Sequence, residues 1–171
     1  MQLVTQFKQT LTIQPETGFK RRLTGWIVTI LNALFTLNST FVFLFFLKVG
    51  FVGWLMLNSC APSNILFIAG FLLGSPAVMV AAAVLMFRYG TLGLFVFSWA
   101  GTNLIAQAGH IAMTLAVIYI FTYVVHHKQW RSLLCGLLLG IAILIPFMIV
   151  QTQWLDARPE LVEMLFSGNW D

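Results

Sequence analysis

Residues 89–125 read YGTLGLFVFSWAGTNLIAQAGHIAMTLAVIYIFTYVV, and how often this stretch crosses a bilayer decides the fold. Its 37 residues include no Lys, Arg, Asp or Glu. A spanning helix uses about 20 mostly apolar residues, so the stretch is too long for one span and barely enough for two. Asn103, Gln107 and His110 crowd its centre. That favours a tight hairpin with its apex near Gln107-Ala108-Gly109-His110 and legs of about 18 residues, roughly 27 Å each.

The rest of the chain is equally suited to hydrocarbon. The sequence is 60% hydrophobic and 8% charged, with mean hydropathy +0.92, whereas soluble domains are about 25% charged. Between Glu16 and Asp156 lie 139 residues without a carboxylate. The net charge of +4 comes from nine Lys and Arg placed at a few points. It reads as topology punctuation, not as a nucleic-acid surface. The first apolar run begins at Leu23 with no small-residue cleavage site, so no cleavable signal peptide is expected.

Three regions follow: a cytoplasmic segment over 1–22, a transmembrane bundle over 23–154, and an acidic tail over 155–171. In the first, Leu3, Val4, Phe7 and Leu11 share one helical face, which predicts a short amphipathic interfacial helix. Lys20-Arg21-Arg22 directly precedes the first apolar run and places the N-terminus in the cytoplasm. In the tail, Leu161, Val162, Leu165 and Phe166 oppose Glu160 and Glu163, predicting an amphipathic helix that starts near Pro159.

The fold class is an all-α polytopic membrane bundle with spans near 24–47, 64–87, 89–106, 108–125 and 132–153. The stretch over 49–63 holds Gly50, Gly53, Asn58 and Pro62; it is too irregular to span, and Trp54 suits the headgroup level. Five spans put Lys8, Lys20, Arg21, Arg22, Arg88, Lys128 and Arg131 inside and only Lys48 and Arg158 outside. Four spans plus a re-entrant segment is the alternative, with a less asymmetric charge distribution. The location expected is the bacterial inner (cytoplasmic) membrane.

Two polar stripes recur at intervals of three and four residues, so each stays on one helical face. The first is Gly25, Thr29, Asn32, Thr36 and Ser39; the second is Asn103, Gln107, His110 and Thr114. Each reads either as a packing seam or as one wall of a path for a neutral solute. The second stripe needs an unbroken helix through 103–114, which conflicts with an apex at 107–110. An apex near Ala100-Gly101-Thr102, with a short re-entrant leg over 90–99, removes that conflict. Gly74-Ser75-Pro76 falls mid-span in 64–87 and predicts a kink at Gly74 and Pro76. Gly70 with Gly74, Ala77 with Ala81, and Gly136 with Gly140 form small-residue faces for close helix contact.

Little site chemistry is legible. Cys60 and Cys135 have no metal or redox spacing, so neither a metal, a cofactor nor a catalytic residue is expected. Hydrolytic chemistry needs a Ser-His or Cys-His pair, paired carboxylates or a metal, and no spacing here supplies one. A haem on His110 lacks a second buried histidine at its depth, since His126 and His127 lie about 24 Å further along a helix. Two functions remain. One is a non-catalytic subunit of a larger membrane assembly for secretion, transport or energy conversion, partnered by the bilayer and by other subunits or copies of itself. The other is a small transporter or channel component passing a neutral or anionic solute along the stripes.

Overall fold

The computed structural model describes residues 22–101 and 103–167, and the described residues form helices joined by short turns. Four segments are long and apolar enough to cross a membrane: Leu23–Phe46, Pro76–Val96, Asn103–His126 and Trp130–Asp156. A fifth crossing is available if Gly50–Leu57 and Cys60–Leu73, bent by 81°, count as one span. We name α1 Leu23–Phe41, α2 Gly50–Leu57, α3 Cys60–Leu73, α4 Pro76–Met86, α5 Gly93–Val96, α6 Asn103–His126, α7 Trp130–Asp156 and α8 Pro159–Ser167. A π-helical turn over Val42–Phe46 extends α1, and another over Phe87–Thr91 joins α4 to α5. The expected N-terminal interfacial helix lies outside the described residues. In the tail, α8 forms with Leu161 and Val162 half-buried and Glu160 and Glu163 exposed.

The expected span over 64–87 does not exist as one helix. Gly74 takes φ +67°, Gly74 N–H bonds the Phe71 carbonyl at 3.1 Å, and Ser75 N–H bonds the Gly70 carbonyl at 2.8 Å. These two bonds are the Schellman stop, and Pro76 at the first turn of α4 is a start signal. Together they reverse the chain instead of kinking it. The Cys60 thiol reaches the Tyr89 carbonyl at 3.6 Å, although a continuous helix would hold them about 43 Å apart. A side chain at Gly70 would strike the backbone N of Met79. Both pairs have residue numbers summing to 149, so α3 and α4 form one straight antiparallel hairpin.

The spans over 89–106 and 108–125 are likewise corrected. Residues 89–96 complete the span that begins at Pro76, the chain leaves the helix at Phe97, and α6 runs unbroken from Asn103 to His126. Gly101, with φ +57°, supplies the turn nearer 100–102. The leg over 90–99 is therefore the end of a span, not a separate re-entrant segment.

Alpha-4 is the centre. Met79, Val80, the three alanines Ala81-Ala82-Ala83, and Met86 are completely buried. Alanine keeps the helix thin enough for α3, α6 and α7 to approach it at once. Helix α1 packs antiparallel to α6, with Asn32 against Ala112 and Phe35 against Gly109, sums of 144 in both cases. Helix α7 runs parallel to α4, Gly136 lying on Val80 and Gly140 on Val84. Its buried residues are Ser132, Gly136 and Gly140.

These registers divide the bundle into two ends. Arg22, the Gly74 turn, His126-His127-Lys128 and Arg131 lie at one. Lys48, the break between α2 and α3, Trp154 and Arg158 lie at the other, where Gln151 bonds both the Met56 carbonyl and Ser59. Arg88 lies at neither end: Gly90 on Met113 and Gly93 on His110 set it level with the middle of α6. The charge count that favoured five spans loses that residue: the other described cations divide three against two.

Because an added Cβ at Gly136 would sit 2.5 Å from Val80 Cβ and 2.6 Å from the Ala77 carbonyl oxygen, Gly136→Ala should cost about 1–3 kcal/mol. Thermal unfolding in detergent measures it. An unchanged midpoint would show that the α4–α7 contact is looser than described.

Candidate functional site

The polar stripe of α1 is its buried face. The buried residues of that helix are Gly25, Thr29, Asn32 and Thr36, because only small or hydroxyl side chains let α3 and α6 come this close. Gly25 carries the Tyr119 hydroxyl and the Phe71 ring, and Trp26 meets Phe71 edge-on at 5.0 Å. Asn32, fully buried, donates from Nδ2 to the Val28 carbonyl at 2.8 Å and to the Ala112 carbonyl on α6 at 3.1 Å. Thr36 returns its hydroxyl to the Asn32 carbonyl, and half-buried Ser39 donates to the Thr36 carbonyl. Asn32 Oδ1 and Thr29 Oγ1 are buried without a hydrogen-bond partner.

The α6 stripe faces elsewhere. Helix α5 ends at Val96 in apolar surroundings, so its last carbonyls need donors that water would otherwise provide. Gln107 and Trp99 supply them: Gln107 Nε2 donates to the Phe97 carbonyl at 2.7 Å and lies 3.4 Å from the Leu94 carbonyl, to which Trp99 Nε1 donates at 3.0 Å. One turn away, Asn103 donates to Ser98 Oγ at 2.8 Å. Thr114 closes the other end, donating to the His110 carbonyl and lying 3.1 Å from the Thr91 hydroxyl. The stripe thus clamps the frayed end of the second span onto α6. It does not meet the α1 stripe, which binds the opposite side of α6 through Ala112. The two do not line a common passage.

The orientation of Gln107 fixes its neighbour. With its amide nitrogen turned to the carbonyls, its Oε1 faces His110 Nδ1 at 3.1 Å. An amide oxygen only accepts, so Nδ1 carries the proton and Nε2 keeps a lone pair. That lone pair faces Cys60 Sγ at 3.6 Å. The His110 ring seats against Gly93, where a Cβ would approach Cε1 to 2.7 Å, and lies tilted by 33° to the Phe97 ring with centroids 5.5 Å apart. Sequence spacing gave no sign of a Cys-His pair; the fold assembles one from positions 50 residues apart. Cys60 opens α3 just after the break, and the α3–α4 hairpin delivers it to the π-helical turn beside α6. No local pattern encodes that meeting, so Cys60, Thr91 and the Phe97 carbonyl were invisible to periodicity.

His126 and His127 stay apart from this group. His127 stacks on Tyr123 at 4.2 Å and bonds its carbonyl at 2.8 Å, at the Arg22 end of the bundle. Among the described residues, no three of His, Cys, Asp and Glu gather as a metal site. No family model, no curated protein and no solved structure matches the chain.

Gln107→Leu removes the 2.7 Å bond to the Phe97 carbonyl, while Trp99 Nε1 still donates to the Leu94 carbonyl at 3.0 Å, a loss of about 0.5–1.5 kcal/mol. A drop in the detergent unfolding midpoint together with new proteolysis between Phe97 and Gly101 is expected. A variant as stable as the parent would mean the α5 end is held by something other than Gln107.

Proposed function

We propose that this chain is a non-catalytic subunit of a larger membrane assembly, in the class of secretion, transport or energy-converting complexes, acting by helix docking. The observation that carries the reading is the separation of the two polar stripes. Each makes its hydrogen bonds within the chain, and they turn to opposite sides of α6. That leaves the outer faces as the working surfaces. Those of α1 and α7 are broad and apolar, with Leu34, Leu37, Leu134 and Leu138 each more than half exposed. Such faces meet either lipid or partner helices.

The chain sits in a bacterial inner membrane with its N-terminus in the cytoplasm. Support comes from Lys20-Arg21-Arg22 immediately before α1, the densest basic cluster in the sequence. Alternating helix directions with a fifth crossing through α2 and α3 bring the tail to the outer face. A reporter enzyme active only outside the cytoplasm, fused after Asp171, should be active; activity of a cytoplasmic reporter there would sink the five-crossing topology.

Purified in mild detergent, the protein should co-migrate with other chains. Leu134→Trp together with Leu138→Trp, which reshapes the exposed apolar face of α7, should weaken that association. A lone homo-oligomer that passes a neutral solute into liposomes would instead establish the transporter reading.

A further inference from the structure

We propose that Cys60, His110 and Met113 form a binding site for a soft monovalent metal ion, copper(I) by its chemistry. Three elements bring the donors together. Cys60 comes from the first turn of α3, His110 and Met113 lie one turn apart on one face of α6, and the segment over 89–93 touches all three, Cys60 at the Tyr89 carbonyl, Met113 at Gly90 and His110 at Gly93. Cys60 Sγ stands 3.6 Å from His110 Nε2 and 3.6 Å from the Tyr89 carbonyl oxygen. The Met113 sulfur lies over Gly90, the next residue, where a Cβ would come within 2.9 Å of it. Glycine at 90 and at 93 makes room for the thioether and the imidazole respectively.

The separation suits one shared ion. Bonds of about 2.3 Å to a thiolate and about 2.0 Å to an imidazole, meeting at about 110–120°, put the two donor atoms about 3.5–3.7 Å apart. The imidazole is already in the binding tautomer. Gln107 accepts the Nδ1 proton, itself anchored by the Phe97 carbonyl, and Nε2 presents its lone pair to the sulfur. An outer partner of this kind is what orients a ligating histidine. π-helical insertions also occur frequently at functional sites.

The donor set and the missing carboxylates select the ion. A thiolate, a thioether and an imidazole are soft or borderline donors that favour copper(I). On binding, the Cys60 S–H bond breaks, a sulfur–copper bond forms, and the proton leaves to the buffer. Copper(I) with one thiolate is then electrically neutral. A divalent ion in the same place would leave a net positive charge inside the membrane with no acid to balance it, which is costly. No oxidation state changes. The site is independent of the subunit reading: a lone chain or an assembled one can hold it.

The test uses the full chain in mild detergent carrying Cys135→Ser, which removes the exposed second thiol. Under anaerobic conditions, copper(I) is titrated against a chromophoric copper(I) chelator. One ion per chain is expected, with sulfur and nitrogen neighbours in the X-ray absorption spectrum of the copper. Cys60→Ser and His110→Phe should each weaken binding at least as much as the roughly 10–100-fold typical of losing an outer partner. Met113→Leu should weaken it too. The proposal is overturned if the Cys135→Ser chain takes no copper from the chelator, or if the absorption spectrum shows no sulfur neighbour. Both readouts use a chain with an intact site, so a variant that fails to fold cannot obscure them.

Discussion

The reversal at Gly74 is the constraint on which the remaining packing depends. A left-handed residue, two turn-closing hydrogen bonds and a proline at the next helix start fold α3 back along α4. That single turn converts what would be one long hydrophobic rod into a two-helix core. The flat, alanine-lined face of α4 then receives α6 on one side and α7 on another, and α1 closes over α3 and α6. It also carries the first residue of α3 back to the π-helical turn, which is how Cys60 comes to lie beside His110.

A second constraint follows from the solvent. Hydrocarbon offers no hydrogen bonds, so every interrupted helix must find donors within the protein. The chain breaks between α2 and α3 and again after α5, and an amide side chain answers each break. Gln151 reaches from α7 to the Met56 carbonyl, and Gln107 reaches from α6 to the Phe97 carbonyl. Amides do this without introducing charge. The absence of acids through the spans therefore fits a bundle whose internal polarity serves backbone carbonyls.

Pro76 and the polar stripe of α6 show why the spans are only partly legible in the sequence. Pro76 was read as a kink because a proline in an apolar run removes one helical bond; the left-handed glycine two positions earlier turns the same proline into a start signal. Asn103, Gln107, His110 and Thr114 share one face only if their helix is continuous, and the structure has that continuity. The apparent hairpin apex came from counting apolar length across 89–125 alone. Eight of those residues belong to a span that begins at Pro76, and a count confined to the window cannot see it.

By itself the sequence determined the solvent, the helical class and the inward faces. Apolar length and the carboxylate-free interval suit helices that cross a bilayer, and three- and four-residue spacing requires that Gly25, Thr29, Asn32 and Thr36 share a side. Tertiary structure decided what each face meets. The antiparallel hairpin, the parallel pairing of α4 with α7, and the approach of Cys60 to His110 depend on contacts between segments far apart in the chain. Helical periodicity is a local property of a few turns, whereas these pairings are set by which surfaces fit once the helices have formed.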